Sequence, residues 1–506
     1  MSVGPGHRRQ VHIETFGCQM NEYDSELVRA LLVREGYVMT EDRESADVIL
    51  MNTCAIRENA HTKVYTHLSD LKALKRSRSL VVGVLGCMAQ NLKEELTKQE
   101  PLVDLLAGPD SYRQLPRLIR DAVHAQEQDE HLKALAVDLS EYETYDDIVP
   151  ARIPGVNAWI AVMRGCDNFC SFCVVPYTRG RERSRDPHGI LDEAARIAGE
   201  GFKQITLLGQ NVNSYHSGDW DFARLLTAVA DIPGIERVRF TSPHPKDFPP
   251  PLLEAMVYHP KICKHIHLPA QSGNDRILGM MNRTYTRREY LALVERIGSM
   301  NSRIVLTTDI IAGFCSETEE EFADTYRLLE EVRYHSAFIF LYSERTNTIA
   351  ARKFTDDVPH EVKSRRVTAL VELQRRISTE RNREYLGETL PVLVEGDAKK
   401  SSLQAMGKSD GNVTVIWNKT DLACRPGELV ACSISDASAS TLYARAVARA
   451  EHLPAKNEHS CTISFSRSQI PSVRIFSSAT TACSKDSLPD HASESILSLF
   501  EDKTIR

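Results

Sequence analysis

The chain has 506 residues, of which 42% are hydrophobic and 26% charged, and a formal net charge of −7. The proportions are those of an ordinary globular protein, the length suggests about three domains, and no apolar run is long enough to predict a membrane span. The acidic balance excludes nucleic-acid binding by overall charge, so any such binding must rest on local basic patches.

The first ten residues are polar and lack an apolar core, so they do not read as a signal peptide, and a cytoplasmic protein is expected. In that compartment twelve cysteines point to metal or redox chemistry rather than disulfides. Residues 11–16 alternate as a strand and end at Gly17-Cys18. A helix is predicted next, with Asp24 or Ser25 as its cap and Leu27, Val28, Leu31 and Leu32 on one face. Further apolar strands at 47–51 and 80–85 end at Asn52-Thr53-Cys54 and Gly86-Cys87. Strands alternating with helices imply a doubly wound parallel sheet, here a domain over 10–125. The carboxyl ends of such strands share one edge, where open α/β folds bind ligands. A lone cysteine at a strand end is more often packing than ligand. Cys18, Cys54 and Cys87 at three such ends point instead to an iron–sulfur cluster. Residues 126–154, rich in acids and closed by Pro150 and Pro154, read as a solvated linker.

A buried strand at 159–163 leads into Arg164-Gly165-Cys166-Asp167-Asn168-Phe169-Cys170-Ser171-Phe172-Cys173. A structural zinc would need a fourth ligand close by, and the next histidine, His188, lies beyond a highly charged stretch. Three close thiolates suit three irons of a 4Fe–4S cluster and leave the fourth open. Five more apolar strands, at 204–208, 237–240, 264–268, 304–311 and 337–342, alternate with helices over 155–385. Six βα units predict an incomplete TIM-like barrel with its site at the carboxyl ends of the strands. Loop residues Gly209, Gln210, Asn211, Gln271 and Gly273 fall there; the glycines would let backbone approach a ligand and the amides would hydrogen-bond it. Cys263 and Cys315 read as buried non-ligands. Arg179, Arg181, Arg183 and Arg185 alternate after the cluster loop, either as a solvated edge or as contacts for RNA phosphate.

From 389 to 450 short β runs punctuated by glycines predict a small barrel, decorated by Lys399, Lys400, Lys408 and Lys419. Residues 451–506 are Ser-rich with few apolar clusters and read as a disordered tail, with Cys461 and Cys483 incidental.

The C-x3-C-x2-C run with Phe172 before its last cysteine resembles the signature of radical S-adenosylmethionine (SAM) enzymes. The words Gly17-Cys18-Gln19-Met20-Asn21, Asn52-Thr53-Cys54-Ala55-Ile56-Arg57 and Gly86-Cys87-Met88 resemble the methylthiotransferases of that superfamily, in the MiaB-like branch, and the 389–450 barrel resembles the RNA-binding TRAM module. The resemblance implies an auxiliary 4Fe–4S cluster on Cys18, Cys54 and Cys87 and a second on Cys166, Cys170 and Cys173. It implies SAM as co-substrate, in a cavity lined by Gly209, Gln210, Asn211, Gln271 and Gly273. The implied reaction methylthiolates carbon 2 of N6-isopentenyladenosine at position 37 of tRNA, in the anticodon loop. An electron donor and a sulfur donor are implied partners. Branches acting on threonylcarbamoyl-adenosine or a ribosomal-protein aspartate, and a non-catalytic iron–sulfur RNA-binding protein, are the alternatives. Two loops depart from the family: Cys315-Ser316 replaces a usual Pro-Gly, and 343–348 lacks a usual glycine.

Overall fold

Two uninterrupted apolar runs, Val-Ile-Leu-Met and Val-Val-Gly-Val-Leu, form the centre of the N-terminal sheet and are buried along their whole length. That is the signature of parallel strands covered on both faces. In the computed structural model, which describes residues 8–55, 58–128, 130 and 133–449, the order is β1 (Gln10–Phe16), α1 (Gln19–Arg34), β2 (Val38–Met39), β3 (Val48–Thr53), α2 (Glu58–Ser77), β4 (Val81–Gly86), α3 (Cys87–Leu92), α4 (Glu94–Gln99), β5 (Leu105–Ala107), α5 (Leu115–Glu127) and β6 (Ala134–Ala136). The tail at 451–506, and Ile56 and Arg57 of the second motif, lie outside the described residues. All six strands run parallel in the order β2-β1-β3-β4-β5-β6. Leu27, Val28, Leu31 and Leu32 of α1 join Leu118 and Ile119 of α5 in the core on one face. Val64 and Leu68 of α2 and Leu96 of α4 fill the other.

Two expectations are corrected here. Helix α1 starts earlier than the cap residues suggested: Cys18 is its N-cap, with its N–H donating to Asn21 Oδ1 at 3.4 Å, and Asp24 and Ser25 are buried within the helix. The acidic segment is not a solvated connector throughout. Ala134–Ala136 adds the sixth strand beside β5, and Tyr145 and Ile148 are buried in the N-terminal core.

The central strands are Asn157–Ala161, Gln204–Leu208, Arg237–Phe240, His265–His267, Val305–Ala312 and Ser336–Leu341. They form two three-stranded parallel sheets, and an isolated parallel bridge from Val238 to Ile262, three residues before the strand His265–His267, lies between them. Among the described residues no pairing links Ser336–Leu341 to Asn157–Ala161, so the barrel stays open at that seam. Parallel register puts His267 opposite Thr307, Asp309 opposite Phe338 and Ile311 opposite Phe340, all on one face. The alternate residues Thr308 and Ile310 are fully buried on the other face, towards the outer helices.

The C-terminal strands Thr389–Ala398, Ser401–Ser409, Thr414–Asn418, Thr441–Arg449 and Leu429–Ala437 close a barrel around buried Trp417. Its turn at 409–412 docks against the amino ends of the central strands. Arg239 donates to the carbonyls of Ser409 at 2.7 Å and Asp410 at 3.0 Å, and Arg237 to the carbonyls of Lys408 and Pro391. A Cβ on Gly411 would come within 2.4 Å of Val305 Cγ2, so only glycine permits this approach. The turn therefore closes the floor of the central barrel, while the carboxyl ends of its strands remain at the opposite mouth.

Candidate active site

Cys18, Cys54 and Cys87 each follow the carboxyl end of one of the neighbouring strands β1, β3 and β4. A Cβ on Gly17 would lie 2.8 Å from Cys54 Cβ, which shows how closely the first two cysteine loops approach. A hydrogen bond with Cys54 pulls the Cys18 thiol down to about 6 against its own burial, with help from Arg179. Cys87 opens α3, and burial pushes its thiol up.

The central triad sits on the loop after the first central strand. Gly165 has φ +81°, and a Cβ there would fall 1.9 Å from the Arg181 carbonyl oxygen, so the loop cannot form with another residue. Sulfur atoms of this triad accept N–H groups: Cys170 from Arg283 Nη1 at 3.3 Å, Cys173 from Val175 N at 3.5 Å and Cys166 from Asn168 Nδ2 at 3.6 Å. The loop is clasped by the segment 280–283. Ser171 N donates to the Met281 carbonyl at 2.9 Å, and Asn282 Nδ2 to the Phe169 carbonyl at 2.9 Å. Burial pushes Cys166 up to about 11 and raises Cys173 also, so these thiols stay protonated until a cation balances them.

The donor chemistry fits iron–sulfur clusters: two sets of three thiols, with sulfur-directed N–H groups of the kind that tune such centres. Among the described residues no three Cys, His, Asp or Glu side chains converge on one point that could hold a single metal ion. A cluster asks each thiolate to reach only its own iron. The two triads also meet. Val174, next to Cys173, packs with Cys87 and Ala55 in one small buried cluster.

The alternating arginines are for the most part neither a solvated edge nor a free phosphate site. Arg179, Arg183 and Arg185 are buried and paired across the domain boundary. Arg179 donates to Asp24 at 2.8 Å, and Arg183 grips Asp110 with both terminal nitrogens at 2.9 and 3.1 Å. Arg185 binds Asp146, and also Glu193 at 2.8 Å and the Tyr23 hydroxyl at 3.0 Å. Only Arg181 is exposed, stacked on Phe169 and paired with Asp167 at 3.3 Å. Removing one partner from such buried pairs costs about 3–5 kcal/mol, so these residues lock the two domains together.

The residues expected to line a co-substrate cavity fall at the mouth, in unequal roles. Gln210 Oε1 accepts the Gly165 N–H at 2.6 Å, and Asn211 Nδ2 donates to Glu182 at 3.1 Å. Among the described residues Asn211 Oδ1 and His244 Nε2, both buried polar atoms, have no hydrogen-bond partner, which fits a polar ligand. Gln271 is held at φ +68° by backbone bonds to Asp309 and Ile311. The two glycines serve chain packing. A Cβ on Gly209 would strike Met163 Cγ at 2.7 Å, and one on Gly273 the Asp324 carbonyl oxygen at 2.5 Å. Sequence reading gave Asp24 only a capping role and Arg164 only a place in the cluster loop, and gave Glu182 and Arg283 none; each has a partner far along the chain. It also missed Phe338 and Phe340, which are 56% and 42% exposed on the inner face of the seam strand. Cys263 and Cys315 are buried.

Residues 10–108 match the model of uncharacterized protein family UPF0004, residues 160–329 that of the radical SAM superfamily and residues 383–447 that of the TRAM domain. The tRNA-2-methylthio-N(6)-dimethylallyladenosine synthases of Porphyromonas gingivalis and Prosthecochloris aestuarii are 47% and 46% identical to this chain. The matches cover 87% and 86% of this chain, and 95% and 98% of theirs. The radical SAM methyltransferase TsrM of Kitasatospora setae is similar in fold alone, with a TM-score of 0.50 at 14% identity over 68% of this chain and 77% of its own. Two cysteine triads, three domain matches in register and this identity over almost the full length of the relatives place the chain in the family of tRNA-2-methylthio-N(6)-dimethylallyladenosine synthases, which are radical SAM methylthiotransferases.

Proposed function

We propose that the chain adds a methylthio group to carbon 2 of N6-isopentenyladenosine, the dimethylallyladenosine of its relatives' name, at position 37 of tRNA. The observation that carries this reading is the meeting of two thiol triads across one domain boundary, through Val174, Cys87 and Ala55. Cys166, Cys170 and Cys173 would hold one 4Fe–4S cluster, and Cys18, Cys54 and Cys87 the other. When bound, the first supplies the electron that cleaves SAM and the second presents the sulfur to be transferred.

The protein's own groups supply position. Arg283, Asn168 and the Val175 N–H donate to the central sulfurs, which stabilises their charged form. Gln210, Asn211 and Gln271 line the cavity we assign to SAM, with Gly209 and Gly273 setting the paths of their loops. Phe338 and Phe340 offer an apolar wall to the isopentenyl base, which an anticodon loop can present without breaking a duplex. Residues 10–125 then serve sulfur supply, 155–385 radical formation and 389–450 the grip on RNA. The reaction also calls for an electron donor and a source of sulfur.

Nucleoside mass analysis of tRNA from cells with and without this protein tests the assignment. The 2-methylthio derivative should disappear and isopentenyladenosine accumulate; an unchanged profile would refute it. Replacing the central triad by Ala should abolish 5′-deoxyadenosine formation. Replacing the N-terminal triad should leave that cleavage but no methylthio product. Each triple variant should show one cluster's iron by Mössbauer spectroscopy.

A further inference from the structure

Helix α1 begins at Cys18 and carries Asp24, wholly buried, in its second turn. The Asp24 carboxylate receives two guanidinium groups from the central domain: Arg164 Nη2 at 2.8 Å on Oδ1 and Arg179 Nη2 at 2.8 Å on Oδ2. The Tyr112 hydroxyl adds a third donor at 3.2 Å. Arg164 stands just before Cys166 in sequence, and Arg179 ends the short helix that follows Cys173. One carboxylate thus ties both flanks of the central cluster loop to the helix whose first turn bears Cys18.

Arg164, Arg179 and Arg183 face Asp24 and Asp110, all five buried or nearly so. Arg179 gives Asp24 only Nη2; its Nη1 is buried with no hydrogen-bond partner among the described residues, and a buried polar group left so is costly. The helix that Arg179 ends packs against α3, which Cys87 opens, and the guanidinium lies within electrostatic reach of Cys87 and Cys18. The tyrosines nearby, Tyr112 and Tyr145, stay neutral because burial raises both well above the ordinary phenol range. Tyr145 also lies under the Arg164 guanidinium at 4.8 Å, so it shields that cation without neutralising it.

We propose that Arg179, a residue of the central domain, is the counter-cation of the Cys18–Cys54–Cys87 triad and that Asp24 is the positioning residue that aims it. The inference rests on the reading of that triad as a cluster site. Its consequence is that the N-terminal centre is electrostatically complete only when the two domains are docked.

The test uses the full chain with Cys166, Cys170 and Cys173 replaced by Ala, so that one cluster remains, reconstituted with iron and sulfide. The readouts are iron per chain and the reduction potential by EPR-monitored titration. Arg179→Gln removes the cation, so it should lower the potential and the retained iron. Arg179→Lys keeps the charge and should stay close to the parent in both. Asp24→Asn leaves the cations less balanced and should move the potential upward, opposite to Arg179→Gln. Loss of all iron in Arg179→Gln with retention in Arg179→Lys would equally support the charge role. The inference is overturned if Arg179→Lys behaves as Arg179→Gln does, if Arg179→Gln leaves the potential unmoved, or if Asp24→Asn shifts it the same way. A parent that binds no iron at the N-terminal triad would overturn the cluster reading itself, and this inference with it.

Discussion

Phe338 and Phe340 are large apolar side chains left open to solvent on the inner face of a parallel strand, beside the edge of His267. Such exposure loses the stabilisation that burying an aromatic side chain brings, so the fold alone gives no reason for it. If they seat the isopentenyl group, Phe338→Ala or Phe340→Ala should lower kcat/KM on prenylated tRNA by about tenfold or more, the usual scale for lost apolar pocket contacts. Reductive cleavage of SAM without tRNA should be unchanged; equal losses in both assays would place these rings elsewhere in the chemistry. Histidine supplies a second expectation at this scale. Burial holds His335 down at about 3, with Arg381 adding to the effect, against an ordinary value of 6.5. A folded pKa below the unfolded one means that stability is present above pH 6.5 and lost as pH falls through the window from about 6.5 towards 3. His335→Gln should flatten that loss by up to about 1.4 kcal/mol per pH unit, read from urea midpoints between pH 7 and 5. Backbone at this scale explains how the two departures from the family are absorbed. Ser316 and Asn347 take up left-handed φ of +57° and +72° in those loops, a region glycine enters without strain and asparagine more readily than most.

Elements were legible wherever one stretch of chain carried its own reason. The fully buried β3 and β4 announce themselves as apolar runs, and the cysteines at their ends follow from where parallel strands terminate. The three-residue β6 was not legible, because Ala-Leu-Ala has no periodicity to read and gains its place only by pairing with β5. The start of α1 was missed because cysteine is not among the usual capping residues, and Asp24, which is, has a tertiary use instead. The arginine run failed for the same reason: spacing shows four cations, but their acids lie 8 to 155 residues away. The docked turn of the C-terminal barrel gives an element-scale prediction. Arg239→Ala would leave the buried Ser409 carbonyl, with its neighbour Asp410, without a charged donor, at a cost of about 3 kcal/mol. Amide hydrogen exchange should accelerate at 408–412 while β3 and β4 stay protected. Uniform exchange across all three regions would mean that this contact does not set barrel docking.

Across the whole molecule, a chain of net charge −7 must meet RNA with a local surface rather than its overall field. The four barrel lysines are not equivalent in this respect. Lys419 is paired with Asp397 at 2.6 Å, and Lys408 is half-buried with its ammonium on Thr414 at 2.8 Å. Lys399 and Lys400 stand exposed together in one turn. The double change Lys399→Ala, Lys400→Ala should therefore make the slope of log K against log salt shallower by about 2, in tRNA binding measured from low to physiological salt. An unaltered slope would put the phosphate contacts outside this turn. No helix among the described residues is long and apolar enough to cross a membrane.

The closed floor of the central barrel carries one more consequence. Because Arg237 and Arg239 fix the C-terminal barrel beneath strands of three to eight residues, with the thiols above them, the RNA grip and the chemistry proposed for this chain would be held apart by a strand's length, roughly 10–25 Å at about 3.3 Å per residue. On that proposal the enzyme would work as a ruler. It would measure the span between the backbone it holds and the base it alters, and a nucleoside or short loop, though chemically correct, would be too short to register at both ends.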